Sequence, residues 1–349
     1  MFRLLLLVIP FTYLFGLHGD NDHDTFIDTT HKYISETIED ISKLADDIAT
    51  DTIQYTKSIG SENNETNLQT KGSSSKELNP ESVDALFQNE KYIEDTKESF
   101  LRLSSDYSVN SLDNNEFNVK LSARLALNKS RKNLKLYLSG FNQDNLNDIT
   151  DKKEYGEGKP EIGISYVTQF KDSIETKYSL GIRSLYPYVR TRFSYTKQTD
   201  LWLIEPVQNI EYSTKDEFKE NTKLYLDTEL IDRVKFRLEF GRGTSSKGSG
   251  MDYNSVASIF WTPQSRTGLQ LSQGIYGNTK YQYITNEVTK EKERYEGINN
   301  YVTTLTFRQN IYRKWLFYEV SPGINFHKTH DFDPNYRLYI RLDMFFGKM

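Results

Sequence analysis

Residues 337–346 read Arg337-Leu338-Tyr339-Ile340-Arg341-Leu342-Asp343-Met344-Phe345-Phe346. Leu338, Ile340, Leu342, Met344 and Phe346 fall at every second position, with Arg337, Tyr339, Arg341, Asp343 and Phe345 alternating with them. Successive side chains of an extended chain point to opposite faces, so this stretch is a strand with one apolar and one mostly polar face. The same period runs upstream. Phe117, Val119, Leu121, Ala123, Leu125 and Leu127 alternate with Asn118, Lys120, Ser122, Arg124 and Ala126, and Val234, Phe236, Leu238 and Phe240 with Lys235, Arg237, Glu239 and Gly241.

A soluble β-sandwich also alternates. Many of these runs reach ten residues or more, longer than the usual strand of about five or six. Their polar faces carry full charges, such as Arg190 and Arg192 or Glu205 and Glu211. The chain also ends on an alternating strand with Phe346 three residues from the last position, an ending that resembles the signal read by the outer-membrane barrel assembly machinery. No apolar run of about 20 residues exists beyond the N-terminus, so no transmembrane helix is available. A barrel strand needs only alternate apolar residues to face lipid. The expected fold is all-β: a transmembrane antiparallel up-and-down β-barrel preceded by a short helical segment. Closure is required because an open sheet edge in lipid would leave a row of N–H and C=O groups unpaired.

Strands are expected near 98–108, 116–128, 133–141, 160–169, 174–183, 187–196 and 201–212. Others follow near 220–229, 233–242, 252–261, 266–283, 298–310, 314–326 and 335–346. That gives 14 strands, or 12 if the region 174–196 is misdivided. Short connections, such as 230–232 and 262–265, alternate with longer ones at 142–159, 213–219, 243–251, 284–297 and 327–334. The exception is the tight connection at 184–186. Outer-membrane barrels have short periplasmic turns and longer outer loops. Tyr195, Trp202, Tyr212, Trp261 and Tyr301 are candidates for interfacial girdles.

The N-terminal part differs. Met1-Phe2-Arg3 followed by apolar Leu4 to Phe15, with small residues at Gly16 and Gly19, is a secretory signal peptide pattern over 1–19. Residues 20–97 hold 18 acidic and 7 basic residues, and 98–349 hold 31 and 36. An acidic leader joined to a mildly basic body suggests two surroundings. Ile27, Ile34, Ile41 and Ile48 recur every seven residues with Ile38 and Ala45 between them, a heptad seam within a periplasmic helix over 20–57. A run this short needs a support: its own barrel, a second copy or a periplasmic partner. Residues 58–97 read as a flexible linker, polar over 58–80, with a short amphipathic helix around 81–97 carrying Val83, Leu86, Phe87 and Ile93. The barrel spans 98–349.

At Lys314-Trp315-Leu316-Phe317-Tyr318-Glu319-Val320-Ser321-Pro322-Gly323 and Asp343-Met344-Phe345-Phe346-Gly347 the chain resembles a widespread family of uncharacterised proteobacterial outer-membrane proteins. These end on a W-L-F-x-E-x-x-P-G strand and a terminal aromatic-Gly strand. The likeness is sharpest over 298–347. It implies a barrel and an outer-membrane location, and no catalytic residues. In physical terms Pro322 suggests a bulge or widened position, and Gly323 lets a neighbouring backbone approach.

Cysteine is absent, which excludes disulfides and cysteine-based zinc sites or nucleophiles. The five histidines are His18, His23, His31, His327 and His330. A hydrolase on a barrel wall needs histidine set beside a nucleophile or carboxylates. His327, His330, Asp331 and Asp333 gather in the last outer connection, where the simplest reading is a solvated loop. The same reading fits the Glu-Lys run at 287–294 and the Gly-rich stretch 241–250, which lacks phosphate-loop spacing. No enzyme activity, metal, cofactor or nucleic-acid partner is expected.

With the apolar faces outward, the inward bases include Lys120, Arg124, Lys135, Lys177, Arg183, Arg190, Arg192, Lys223, Lys235, Arg237, Arg308, Arg337 and Arg341. The inward acids are Glu175, Glu205, Glu211, Asp227, Glu229, Glu239, Glu319 and Asp343. An open lumen with this excess would favour anions mildly, whereas an interlocking ion-pair network would close it. The expected function is a passive outer-membrane pore for small polar solutes. The alternative is a non-conducting structural barrel whose helix oligomerises or binds a partner.

Overall fold

The structure, a computed structural model, describes residues 26–59, 83–87, 99–127, 134–139, 161–171, 174–286, 291–311 and 313–347. The signal-peptide reading of 1–19, nearly all of the 58–80 linker, Ile93 and the 142–159 connection lie outside them.

Helix α1 spans Phe26–Ile59 and a short helix α2 spans Val83–Leu86. Strands follow in order: β1 Phe100–Asn110, β2 Glu116–Leu127, β3 Leu134–Ser139, β4 Glu161–Lys171, β5 Ile174–Arg183 and β6 Tyr186–Tyr195, which a two-residue bridge at Lys197–Gln198 prolongs. The second half comprises β7 Leu203–Ser213, β8 Glu217–Ile231, β9 Val234–Ser245, β10 Met251–Gln264, β11 Thr267–Asn286, β12 Glu291–Asn310, β13 Leu316–His327 and β14 Pro334–Gly347. Each strand pairs antiparallel with its sequence neighbours, β6 pairs with β7, and β14 returns to β1, from Phe100↔Gly347 to Asn110↔Arg337. The sheet therefore closes on fourteen strands, and no edge is left to bare its backbone to lipid.

The region 174–196 divides into two strands joined by a two-residue turn. Ser184 and Leu185 both take positive φ, 46° and 73°, the geometry that matches the right-handed twist of a hairpin. Leucine is poorly suited to that conformation, and here it is 91% exposed and packs on little. Leu185→Gly should stabilise the barrel by about 1 kcal/mol, because the left-handed region costs an L-residue roughly that much and glycine almost nothing. Urea unfolding of the reconstituted barrel reads this shift.

Alternation is visible in exposure. Val119, Leu121, Ile162, Ile164, Leu180, Ile182, Val189, Leu271, Leu305 and Ile340 are exposed on the outer face. Ser104, Asp106, Arg124, Lys177, Arg192, Arg237, Arg308, Arg341 and Asp343 are buried on the inner one. An apolar exterior around a polar interior is the inverse of a soluble sandwich and the pattern of a transmembrane barrel. Tyr195, Tyr212, Trp261 and Tyr301 are exposed, while Trp202 turns its ring edge to Phe236 at 6.3 Å.

Three expected long connections are mostly strand. The 213–219 connection shrinks to the turn between Ser213 and Glu217, 243–251 to that between Ser245 and Met251, and residues 291–297 belong to β12. β11 and β12 each reach 20 residues. The sequence misleads here because polar and glycine residues on a strand beyond the membrane need no apolar face, so alternation fades while backbone pairing continues. In the stretch 241–250, Gly241 and Gly243 sit within β9, and a Cβ on Gly241 would lie 2.0 Å from Asn254 Oδ1. Pro322 produces no bulge, since the β13–β14 register runs unshifted through it, but on the β12 side the pairing lapses at Ser321 and Pro322, between Thr304↔Gly323 and Phe307↔Val320, with the register kept. Gly323 does admit a close neighbour, since its Cβ would sit 3.0 Å from Thr303 O.

α1 crosses the barrel rim at the end where β1 begins and β14 finishes. His31 stacks between Trp315 (4.3 Å) and Phe346 (5.0 Å), and its Nε2 lies 2.6 Å from Phe345 O. Gly347 N–H donates to Ser35 Oγ, Ser42 Oγ donates to Ala126 O, and Arg313 grips Asp28 at 3.0 Å. The docked face thus carries Asp28, His31, Ser35, Ile38 and Ser42. Ile27, Ile41 and Ile48 of the heptad seam stay exposed, and Ile34 is half-buried. The rim ends of a barrel present backbone groups with no further strand partner, and a polar helix face can satisfy them where isoleucine cannot.

Candidate functional site: the charged inner wall

Among the described residues, three groups of ion pairs stand out on the inner wall, each built by strand register. In the first, Asp343 on β14 is fully buried (0% exposed) and takes charge-assisted bonds from Arg102 on β1 at 3.0 Å and Arg308 on β12 at 2.6 Å, with Ser104 donating at 2.5 Å. Arg308, 1% exposed, also holds Glu319 at 3.0 Å. Lys120 meets Asp106 at 3.4 Å. Arg341 is buried beside them with its guanidinium 4.9 Å from the Tyr339 ring. Arg337 donates to Asn110 Oδ1 at 2.8 Å.

In the second group, Glu211 on β7 receives Arg183 at 2.7 Å and Arg190 at 2.8 Å, and Arg183 also meets Glu161 at 2.9 Å. Both guanidinium groups lie over the Tyr188 ring, at 4.7 and 5.2 Å, a cation–π arrangement. Tyr188 and Tyr137 are joined through their hydroxyls. Gly163 and Gly181 face each other across β4 and β5, and a Cβ on either would come within 3.0 Å of a tyrosine hydroxyl. The glycines are the floor on which the two rings lie.

The third group holds Asp227 between Arg237 (2.6 Å) and Lys235 (3.4 Å), with Lys223 and Glu239 at 3.5 Å alongside. Elsewhere, buried Arg124 lies 6.0 Å from the Phe100 ring. Buried Lys177 and Arg192 stand opposite each other on β5 and β6. Glu229 is exposed near the end of β8.

Every one of these pairs joins strands that are adjacent or one apart in the barrel. Arg308 and Glu319 are register partners, as are Arg190 and Glu211, Arg183 and Glu161, and Arg237 and Asp227. The charges therefore run along the wall. A pair bridging a fourteen-strand barrel would join strands about seven apart.

Arg102, Asp106 and Glu161 are absent from the sequence-derived inner set. Arg102 and Asp106 fall on the parity of Phe100, opposite Leu101, Leu103, Tyr107 and Val109. That parity was the available signal.

At the rim where α1 docks, the inner wall turns apolar. Phe260, Phe317 and Phe345 form a buried cluster with Leu86 and Phe87 from the end of α2. The Phe87 ring lies 5.6 Å from that of Phe260. Gly268 supplies the notch, since a Cβ there would meet Leu86 at 2.6 Å and Phe87 at 2.8 Å. A segment from outside the sheet is thus seated against the inner wall at one mouth.

At the other mouth, a 3-10 turn at Lys328–His330 places the Lys328 ammonium 5.7–5.8 Å from the rings of Tyr283, Tyr295 and Phe332 and 2.9 Å from Asp331. The bond to Asp331 holds its pKa above the usual lysine value. His327 is buried against Thr329, and His330 turns to Asp113 at 3.0 Å. Among the described residues no group of three or more potential metal ligands comes together.

No family model matches the sequence, and a search of curated proteins finds no significant match. Among solved structures the chain is similar to the KdgM porin, with 8% identity over 70% of this chain and 98% of that one and a TM-score of 0.33. It is similar to the loop-L8 deletion mutant of OmpT, an outer membrane protein of Vibrio cholerae, with 8% identity over 71% and 98% and a TM-score of 0.40. For Pseudomonas putida OprB the values are 8%, 75%, 97% and 0.46.

Proposed function

We propose that this chain is a passive pore for small polar solutes in the outer membrane of a Gram-negative bacterium. The observation that carries it is the direction of the ion pairs: they follow the wall from strand to neighbouring strand, an arrangement that stiffens a lumen without crossing it. In this reading Lys120, Arg124, Arg190, Arg192, Arg237, Glu239, Arg308, Glu319, Arg337 and Arg341 belong to the inner wall around the lumen, most of them buried within its ion-pair layer. The basic excess of the inner face supports a mild anion preference.

In this reading residues 1–19 are a cleaved signal peptide, 20–57 form the periplasmic helix segment, 58–97 are the linker with its short helix, and 98–349 are the barrel. The rim carrying α1 and both ends of the barrel sheet faces the periplasm. The strand ending at Phe346 is the signal for the barrel assembly machinery, and the Trp315–Gly323 strand is shared with the uncharacterised outer-membrane family it resembles.

The test is single-channel recording of the full-length protein in a planar bilayer under a salt gradient. Discrete openings with a reversal potential displaced toward the anion are expected. Cation-biased openings would refute the preference. A folded but silent barrel would refute the pore and favour the second reading, a structural barrel, for which the seating of Leu86 and Phe87 in one mouth is the specific support.

A further inference from the structure

Docking covers Ile38 of the α1 heptad seam but leaves Ile27, Ile41 and Ile48 exposed, and the hand of the barrel says which way they face. Ser111 N–H donates to Tyr336 O, Phe345 N–H to Trp315 O and Thr262 N–H to Arg233 O. With the known inward and outward parities, L-chirality then fixes the strand order. Seen from outside with the α1 rim at the bottom, chain order runs right to left. α1 travels the same way, from His31 and Ser35 at the end of β14 to Ser42 at the end of β2. In a right-handed helix with about 3.6 residues per turn, Ile27, Ile34, Ile41 and Ile48 lie a quarter turn behind the docked face, and Lys32 and Lys43 a quarter turn ahead. For this heading, a quarter turn behind is the outward, bilayer side, and a quarter turn ahead is away from it.

We infer that α1 is an interfacial helix whose Ile27, Ile34, Ile41 and Ile48 stripe, with Leu44, enters the phospholipid leaflet at the α1 rim. Ile41, Leu44 and Ile48 are 50%, 60% and 58% exposed. The stripe continues an established apolar surface: His31 stacks on Phe346, the last outward residue in the series Leu338, Ile340, Leu342, Met344. Trp315 on the other side of the His31 ring is the residue type that settles at headgroup level. The charged residues lie mostly away from the stripe, as an interfacial helix requires. The inference rests only on the barrel being transmembrane and is independent of whether it conducts.

Because the chain has no cysteine, single-cysteine variants of the full-length protein can carry a bimane fluorophore in vesicles containing bromine-labelled phosphatidylcholine. Ile41→Cys and Ile48→Cys should be quenched more strongly than Lys43→Cys, on the order of two-fold, given a depth of about 5–10 Å for an interfacial apolar face. Leu180→Cys, on the outer face of β5, is quenched in any inserted barrel and so separates failure of insertion from failure of the inference. Quenching at 41 and 48 no greater than at 43 overturns it. So does formation of disulfide-linked Ile41→Cys dimers without quenching, which would make the stripe a seam between two copies.

Discussion

Phe87→Ala is expected to raise the open fraction of single channels formed by the full-length protein, with the barrel intact. Phe87 directly follows α2 and meets the wall beside Leu86 through its own ring. Removing a buried phenylalanine ring costs roughly 3–5 kcal/mol, and about 1.4 kcal/mol already shifts an occupancy tenfold. Gly268→Leu tests the same contact from the other side, because its side chain would occupy the notch that Leu86 and Phe87 fill. Both variants should give more frequent or longer openings than the parent. If both record as the parent does, α2 does not restrict the mouth. If neither parent nor variants conduct, the pore reading itself fails.

The second large effect concerns stability. Asp343→Ala should destabilise the barrel by about 3–5 kcal/mol, the usual cost of removing one partner from a buried ion pair. Arg102 and Arg308 both converge on Asp343, so its loss strips the buried Arg102 guanidinium of this carboxylate and leaves Arg308 to Glu319. Asp343 also ties β1 to β14, the two ends of the sheet, and the damage falls at the seam where the barrel closes. Asp343→Asn should be milder, since an amide oxygen still accepts from Ser104. Urea titration in detergent, read by the heat-modifiable gel shift of folded barrels, measures both. Equal stability of Asp343→Ala and the parent would mean that the buried network is energetically neutral.

Much of the fold was legible because strand period is local. Phe117 to Leu127 and Arg337 to Phe346 declare an apolar and a polar face without reference to any other residue. The chain's preference for fourteen segments followed from the same signal. Where a strand leaves the membrane, as β11 and β12 do, the signal ends before the strand does. The tight Ser184–Leu185 turn carried no glycine to announce it, which is why twelve strands remained open beside fourteen.

The sequence by itself determined the parity of most strand side chains, and with it most of the inner bases and acids and the four-isoleucine stripe of α1. Only the tertiary structure decided which charges meet, because pairing depends on register, and register joins residues as far apart as Arg102 and Asp343. Only the tertiary structure placed Leu86 and Phe87 against Gly268, since a glycine notch has meaning only opposite what fills it. It also turned the reading of α1: the helix docks through His31, Ser35, Ile38 and Ser42 and leaves Ile27, Ile41 and Ile48 outside, because the rim it meets is made largely of backbone atoms that need hydrogen bonds.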